Sequence, residues 1–113
     1  MLRSIETQKK YKEHIKNGGL KECPLCTKSS IKDFEYFRVV KNKFPYDIIA
    51  EKNDMLILKR HSGELSPEEE EEMKELKKGY LNKNYDYMIE AFPDEKSIPG
   101  HFHIHLIVSK GKF

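Results

Sequence analysis

The sequence predicts an α+β domain with a mostly antiparallel sheet of about five strands, one short helix and one long helix. Three observations carry this. Several segments of strand length are rich in β-branched and aromatic residues. A single stretch in the second half bears a full set of helix-start signals. The chain closes on a run in which polar and apolar residues alternate strictly, the period of a strand. In chain order the elements read helix, strand, strand, strand, helix, strand, strand.

Residues 2–16 form a short helix with a sparse apolar stripe of Leu2, Ile5, Tyr11 and Ile15. Asn17-Gly18-Gly19 ends it. Cys23-Pro24-Leu25-Cys26 is a tight turn, followed by a polar linker over 27–30. Residues 34–40 (Phe-Glu-Tyr-Phe-Arg-Val-Val) are the first strand. Pro45 interrupts the ladder in the segment that follows. Residues 48–50 resume an extended path, and Glu51-Lys52-Asn53-Asp54 reads as a turn. Met55-Leu56-Ile57-Leu58 is a buried strand, and it runs into Lys59-Arg60-His61.

The long helix begins at Ser66. Ser66 caps it, Pro67 suits its first position and Glu69 completes a capping box. Glutamates 68–72 load the positive end of the helix dipole, and lysines follow. That run reads as a solvated helix start. Met73, Leu76, Tyr80 and Leu81 form the apolar stripe. Residues 85–91 are a strand, 92–100 a loop with two prolines, 101–108 the last strand and 109–113 a basic tail.

With 113 residues the chain fits one domain, residues 1–113, in which 1–19 form an N-terminal helical extension. Hydrophobic residues are 37% and charged residues 35%, thin for a core, yet six tyrosines and six phenylalanines argue against disorder. A net charge of +2 gives no strong nucleic-acid signal. No apolar run reaches the roughly 18 residues of a membrane span. The first ten residues lack the apolar core of a secretory signal. The expected compartment is the cytoplasm, where paired thiols stay reduced.

The chemistry concentrates in His101-Phe102-His103-Ile104-His105-Leu106-Ile107-Val108. In a strand the three imidazoles share one face, about 7 Å apart. Phe102, Ile104 and Leu106 point to the core. Such a face suits metal chelation or nucleophilic and acid–base work on a phosphate. A metal site of the three histidines with Glu90 is one form of the first. Separately, Cys23 and Cys26 form a knuckle that supplies two thiolates to one tetrahedral ion, although a redox pair has the same spacing. His61 and His101 complete a Cys₂His₂ shell if their strands are neighbours. A small domain with a thin core gains from that staple. His14 reads as a surface residue. Phe37, Val39, Phe44 and Tyr46 are candidates for a base pocket and equally for core.

His101-Phe102-His103-Ile104-His105-Leu106-Ile107 resembles the His-φ-His-φ-His-φ-φ signature (φ apolar) of the histidine-triad (HIT) superfamily. Cys23-Pro24-Leu25-Cys26 resembles the N-terminal knuckle of its zinc-containing bacterial branch. Met55 to His61 looks like the family strand ending in Pro-Lys-x-His, and Leu65 to Glu69 like the start of its long helix. Asn42 to Tyr46 is similar to a segment of divergent members and of galactose-1-phosphate uridylyltransferases. The likeness covers about residues 20–109.

The resemblance implies a HIT-like fold, usually homodimeric, that acts on a nucleotide or nucleotide conjugate. It implies a nucleotide hydrolase or nucleotidyltransferase working at an α-phosphate, with His103 as nucleophile and His105 orienting the site. It implies structural zinc on Cys23, Cys26, His61 and His101. Ser97 and Lys96 are the expected phosphate contacts. The stretch before the triad departs from the family pattern: Ser97 lies one residue farther away than usual, Pro99 removes an amide donor, and Glu90 stands where many members have asparagine. A second reading is therefore a catalytically silent, zinc-stapled module that binds a nucleotide or a protein.

Overall fold

A computed structural model describes residues 2–17, 23–26, 29–92 and 100–111. The chain runs α1 (Ile5–Lys16), a 3₁₀ turn (Pro24–Cys26), β1 (Lys32–Asp33), β2 (Phe37–Lys41), β3 (Ala50–Leu58) and α2 (Pro67–Leu76). A π-helical turn (Lys77–Leu81), a short α3 (Asn82–Asn84), β4 (Tyr87–Ile89) and β5 (His103–Ser109) complete it. The five strands form one sheet in the order β1-β2-β3-β5-β4. Every neighbouring pair is antiparallel. The expected α+β class and strand number hold.

Register divides the sheet into two faces. Phe37 pairs with Leu58, Val39 with Leu56, and Leu56 with Ile104. These residues pack with Leu106, Met73, Leu76, Leu81 and Tyr85 into the main core beneath α2. The opposite face carries Val40, Met55 and Ile57, packed with Leu25 of the knuckle. Met55 lies across from His105 and Ile57 from His103, so this second face is the histidine face.

Two expectations around β3 are corrected. Residues 51–54 are not a turn but the first half of the central strand, and 47–49 make the turn. Asn53 and Asp54 favour turns only while their side chains lack better partners. Here the Asn53 amide donates one hydrogen to the Asp54 carbonyl at 2.8 Å and shares the other between the Leu106 carbonyl and His105 Nδ1, both at 3.4 Å. The buried Asp54 carboxylate accepts from the Tyr85 hydroxyl and lies 3.5 Å from the Lys52 ammonium. Burial and the Asp54 carboxylate drive the Tyr85 phenol far above its usual range.

The other strands shift at their ends. Residues 34–36 belong to the β1–β2 hairpin rather than to a strand, β4 is shorter than 85–91, and β5 starts at His103 rather than His101.

The α2 start forms as the residues dictate. The Ser66 amide donates to Glu69 at 2.7 Å, and the Glu69 amide donates to Ser66 Oγ at 3.2 Å. The glutamate run is not wholly solvated, however. Glu69 is 3% exposed and takes both arms of the Arg60 guanidinium at 2.8 Å. Glu72 accepts from the amides of Tyr36 and Phe37 at 2.9 and 3.2 Å, tying the hairpin to the helix.

Within α1 the expected apolar stripe packs only through Tyr11, whose ring lies 5.4 Å from that of Phe44. None of the residues of α1 is buried, and Ile5 is 73% exposed. A polar clasp holds the helix instead. Asp47 accepts from the Ser4 amide at 2.6 Å, from Ser4 Oγ at 2.9 Å and from the Thr7 hydroxyl. These bonds hold the Asp47 carboxyl down at about 2. His14 is half-buried rather than a free surface residue, its ring 5.1 Å from that of Phe44. No helix among the described residues is long and apolar enough to cross a membrane.

Candidate metal centre and histidine strand

Main-chain bonds bring the two halves of the quartet together. Leu58 N donates to Phe102 O at 3.1 Å and Phe102 N to Ser62 O at 2.7 Å. The segment 101–102 is thereby clamped against the end of β3, where His61 sits. Arg38 holds the knuckle from the other side by donating to the Leu25 carbonyl. One ligand atom from each of Cys23, Cys26, His61 and His101 then lies within 4.8 Å of every other. Among the described residues this is the one group so arranged.

The donor chemistry fits a metal. His101 Nε2 lies 2.6 Å from Leu58 O. A carbonyl only accepts, so Nε2 carries the proton and Nδ1 keeps a lone pair. That Nδ1 is 3.3 Å from Cys23 Sγ and 3.5 Å from Cys26 Sγ, and His61 Nδ1 is 3.3 Å from Cys26 Sγ. With zinc bonds of about 2.3 Å to sulfur and about 2.0 Å to nitrogen, a tetrahedron has S···N edges of about 3.5 Å. Burial holds the His101 imidazole below its ordinary value against the opposing pull of the Leu58 hydrogen bond, and His61 and Arg38 add to the lowering. Burial and the neighbouring Cys23 thiol push the Cys26 thiol up. Two adjacent thiols resist joint ionisation, and a bound dication removes that penalty. The four residues therefore form a potential metal site compatible with zinc, which would supply a structural staple there.

His103 and His105 lie on the same face beyond the quartet, with ring centroids 6.0 Å apart. They are 9% and 6% exposed. His103 Nδ1 is 2.8 Å from the carbonyl oxygen of His101. That acceptor places the proton on Nδ1 and the lone pair on Nε2. The Asn53 amide nitrogen lies 3.4 Å from His105 Nδ1. Its carbonyl oxygen already accepts from Asn42 Nδ2 and Tyr46 N, both at 3.0 Å, which assigns the amide. An amide N–H can only donate, so His105 keeps its proton on Nε2. Tyr46 stacks on His105 at 4.2 Å. Burial, with the charges of His103 and Arg3, pushes His105 down to about 3. The pair thus offers one nitrogen lone pair and one neutral N–H donor.

Of the expected site residues, the structure brings together Cys23, Cys26, His61 and His101, and separately His103 and His105. Lys96 and Ser97 lie outside the described residues. The alternative of three histidines with Glu90 on one ion is not assembled. His101 faces the cysteines, while Glu90 lines a hollow with Leu65, Glu70 and Phe102, on the α2 side of the sheet. Phe37 and Val39 are core and do not line the histidine face. Tyr46 does, and Phe44 flanks it beneath α1. Asn53 was missed because its segment reads as a turn. Once β3 extends to residue 50, the alternation that places Met55 and Ile57 on this face places Asn53 there too.

No protein-family model, no curated protein and no solved structure matches this chain.

Proposed function

We propose that the chain is a nucleotide hydrolase or nucleotidyltransferase of histidine-triad type. It acts at an α-phosphate through His103 and carries a structural zinc on Cys23, Cys26, His61 and His101. The observation that supports this best is the 2.8 Å bond from His103 Nδ1 to His101 O, the tautomer in which Nε2 carries the lone pair. In this mechanism the Nε2 lone pair attacks phosphorus, a P–N bond forms, and the bond to the leaving group breaks with its electron pair. The imidazolium that results keeps its Nδ1–H on a carbonyl acceptor. The leaving group takes up a proton from water as it departs; a second water or another acceptor then attacks phosphorus, loses its own proton to solvent and returns the P–N electron pair to Nε2. His105, neutral with its proton on Nε2, donates to a phosphate oxygen. A homodimer and a cytoplasmic setting with reduced cysteines accompany this reading.

The test is intact-protein mass spectrometry after brief mixing with adenosine 5′-phosphoramidate, with AMP release followed in parallel. A nucleotidyl adduct and product are expected in wild type, and both are lost in His103→Ala without loss of metal. Turnover that survives His103→Ala sinks the mechanism. The near-complete burial of His103 and His105 favours a second reading, a silent zinc-stapled binding module for a nucleotide or a protein. Nucleotide binding with no product over long incubation selects it.

A further inference from the structure

A phosphate held at the histidine face would call for a fixed positive charge beside it. We infer that Arg3 is the cation that holds a substrate phosphate at the His103–His105 pair. This rests on the nucleotide reading above for the identity of the substrate, while the fixed guanidinium and the Tyr46 ring it shares with His105 are observations independent of that reading.

Arg3 is half-buried and fixed from three sides. Its guanidinium carbon lies 4.3 Å from the centre of the Tyr11 ring and 4.8 Å from that of Tyr46. Its Nε donates to the Phe44 carbonyl at 2.6 Å. No carboxylate among the described residues forms an ion pair with it. Asp47, the acid at this end of α1, is taken up by Ser4 and Thr7. The Nε bond and the two rings set the plane of the fork, and the terminal amino groups hold no hydrogen bond to a described residue. That is a preorganised, uncompensated guanidinium, the group best matched to a phosphate.

Its position connects it to the chemistry. Tyr46 has Arg3 on one contact and His105 on another, and His105 adjoins His103. The charge of Arg3 is felt at His105, where it disfavours the imidazolium. The clasp of α1 serves the same end. The helix buries no side chain of its own, yet three bonds to Asp47 fix the segment that begins at Arg3.

The test titrates AMP, adenosine and inorganic phosphate into full-length, zinc-loaded wild type, Arg3→Met and Arg3→Lys. Arg3→Met is expected to weaken AMP and phosphate about tenfold or more, the scale of a charged hydrogen bond, and to leave adenosine within about twofold. Arg3→Lys, with charge but no fork, falls between. KM for adenosine 5′-phosphoramidate rises in parallel. Equal losses for AMP and adenosine mean that Arg3 only anchors α1, and they overturn the inference. So does unchanged AMP affinity in Arg3→Met, or a wild type that binds neither AMP nor phosphate. Turnover that needs His103 but not Arg3 removes this inference and leaves the proposed mechanism. Phosphate binding that needs Arg3, without any turnover, does the reverse.

Discussion

Replacing Glu69 by Gln removes one negative charge from a position where two jobs meet. The Glu69 carboxylate closes the α2 capping box and receives the Arg60 fork, which also reaches the Glu64 carbonyl at 3.0 Å. Arg60 precedes His61, so the pair also borders the stretch that supplies a candidate metal ligand. The Arg60 bonds, ahead of the Ser66 contacts, hold Glu69 at about 2 against an ordinary 4.5. Taken whole, that difference corresponds to about 3 kcal/mol between ionised and protonated Glu69. The Arg60 side chain is 53% exposed, so solvent screens the pair and about 2 kcal/mol is a fairer figure.

The sign follows from a depressed folded-state value. The contribution is fully present above the unfolded value near 4.5 and is lost as pH falls through about 2. Urea denaturation of Glu69→Gln and wild type should therefore differ by about 2 kcal/mol at neutral pH, or about 8 °C in Tm. The difference should shrink steadily below pH 4.5 and be nearly gone near 2. A difference below about 0.5 kcal/mol at neutral pH, the scatter of ordinary surface changes, refutes the reasoning. So does a difference that persists unchanged in acid.

Zinc should bind once per chain and give a tetrahedral S₂N₂ spectrum with cobalt, and Cys26→Ser or His101→Ala should lower its affinity steeply; metal counting and visible absorption check this. His105 should remain neutral down to about pH 3 in ring-nitrogen NMR, and Tyr46→Ala, which uncovers it, should raise its titration toward the usual imidazole range. Leu106→Ala, at a fully buried position of β5, should cost about 3 kcal/mol in urea denaturation with the zinc still bound.

The parts that were legible in the sequence are those in which local chemistry and tertiary role agree. The α2 start needs only Ser66, Pro67 and Glu69, all within four positions. The four candidate ligands were legible because soft thiols and imidazoles have few other uses as a group, but that they meet rests on the pairing of β3 with β5, which the sequence left as a condition. Residues 51–54 misled because Asn53 and Asp54 are turn formers by their side chains alone. Their strand conformation depends on Tyr85, Leu106 and the residues of loop 42–46, which are remote in sequence. The interior glutamates misled in the same way. Nothing local separates Glu69 and Glu72 from their solvated neighbours until Arg60 and the β1–β2 hairpin are in place. The first residue of the histidine run left the strand because its ring seeks Leu58 O and the thiols, not the sheet face.

His101 contributes to the metal site through its ring and to His103 through its main-chain carbonyl. Every amino acid has that carbonyl, so no substitution at position 101 deletes it. A variant at 101 therefore removes one of the four candidate metal ligands while keeping the atom that accepts from His103 Nδ1. What such a variant loses beyond Cys26→Ser measures the imidazole's own hold on Leu58. What both lose alike measures how far a bound ion, and not the peptide chain, would hold His103 in place.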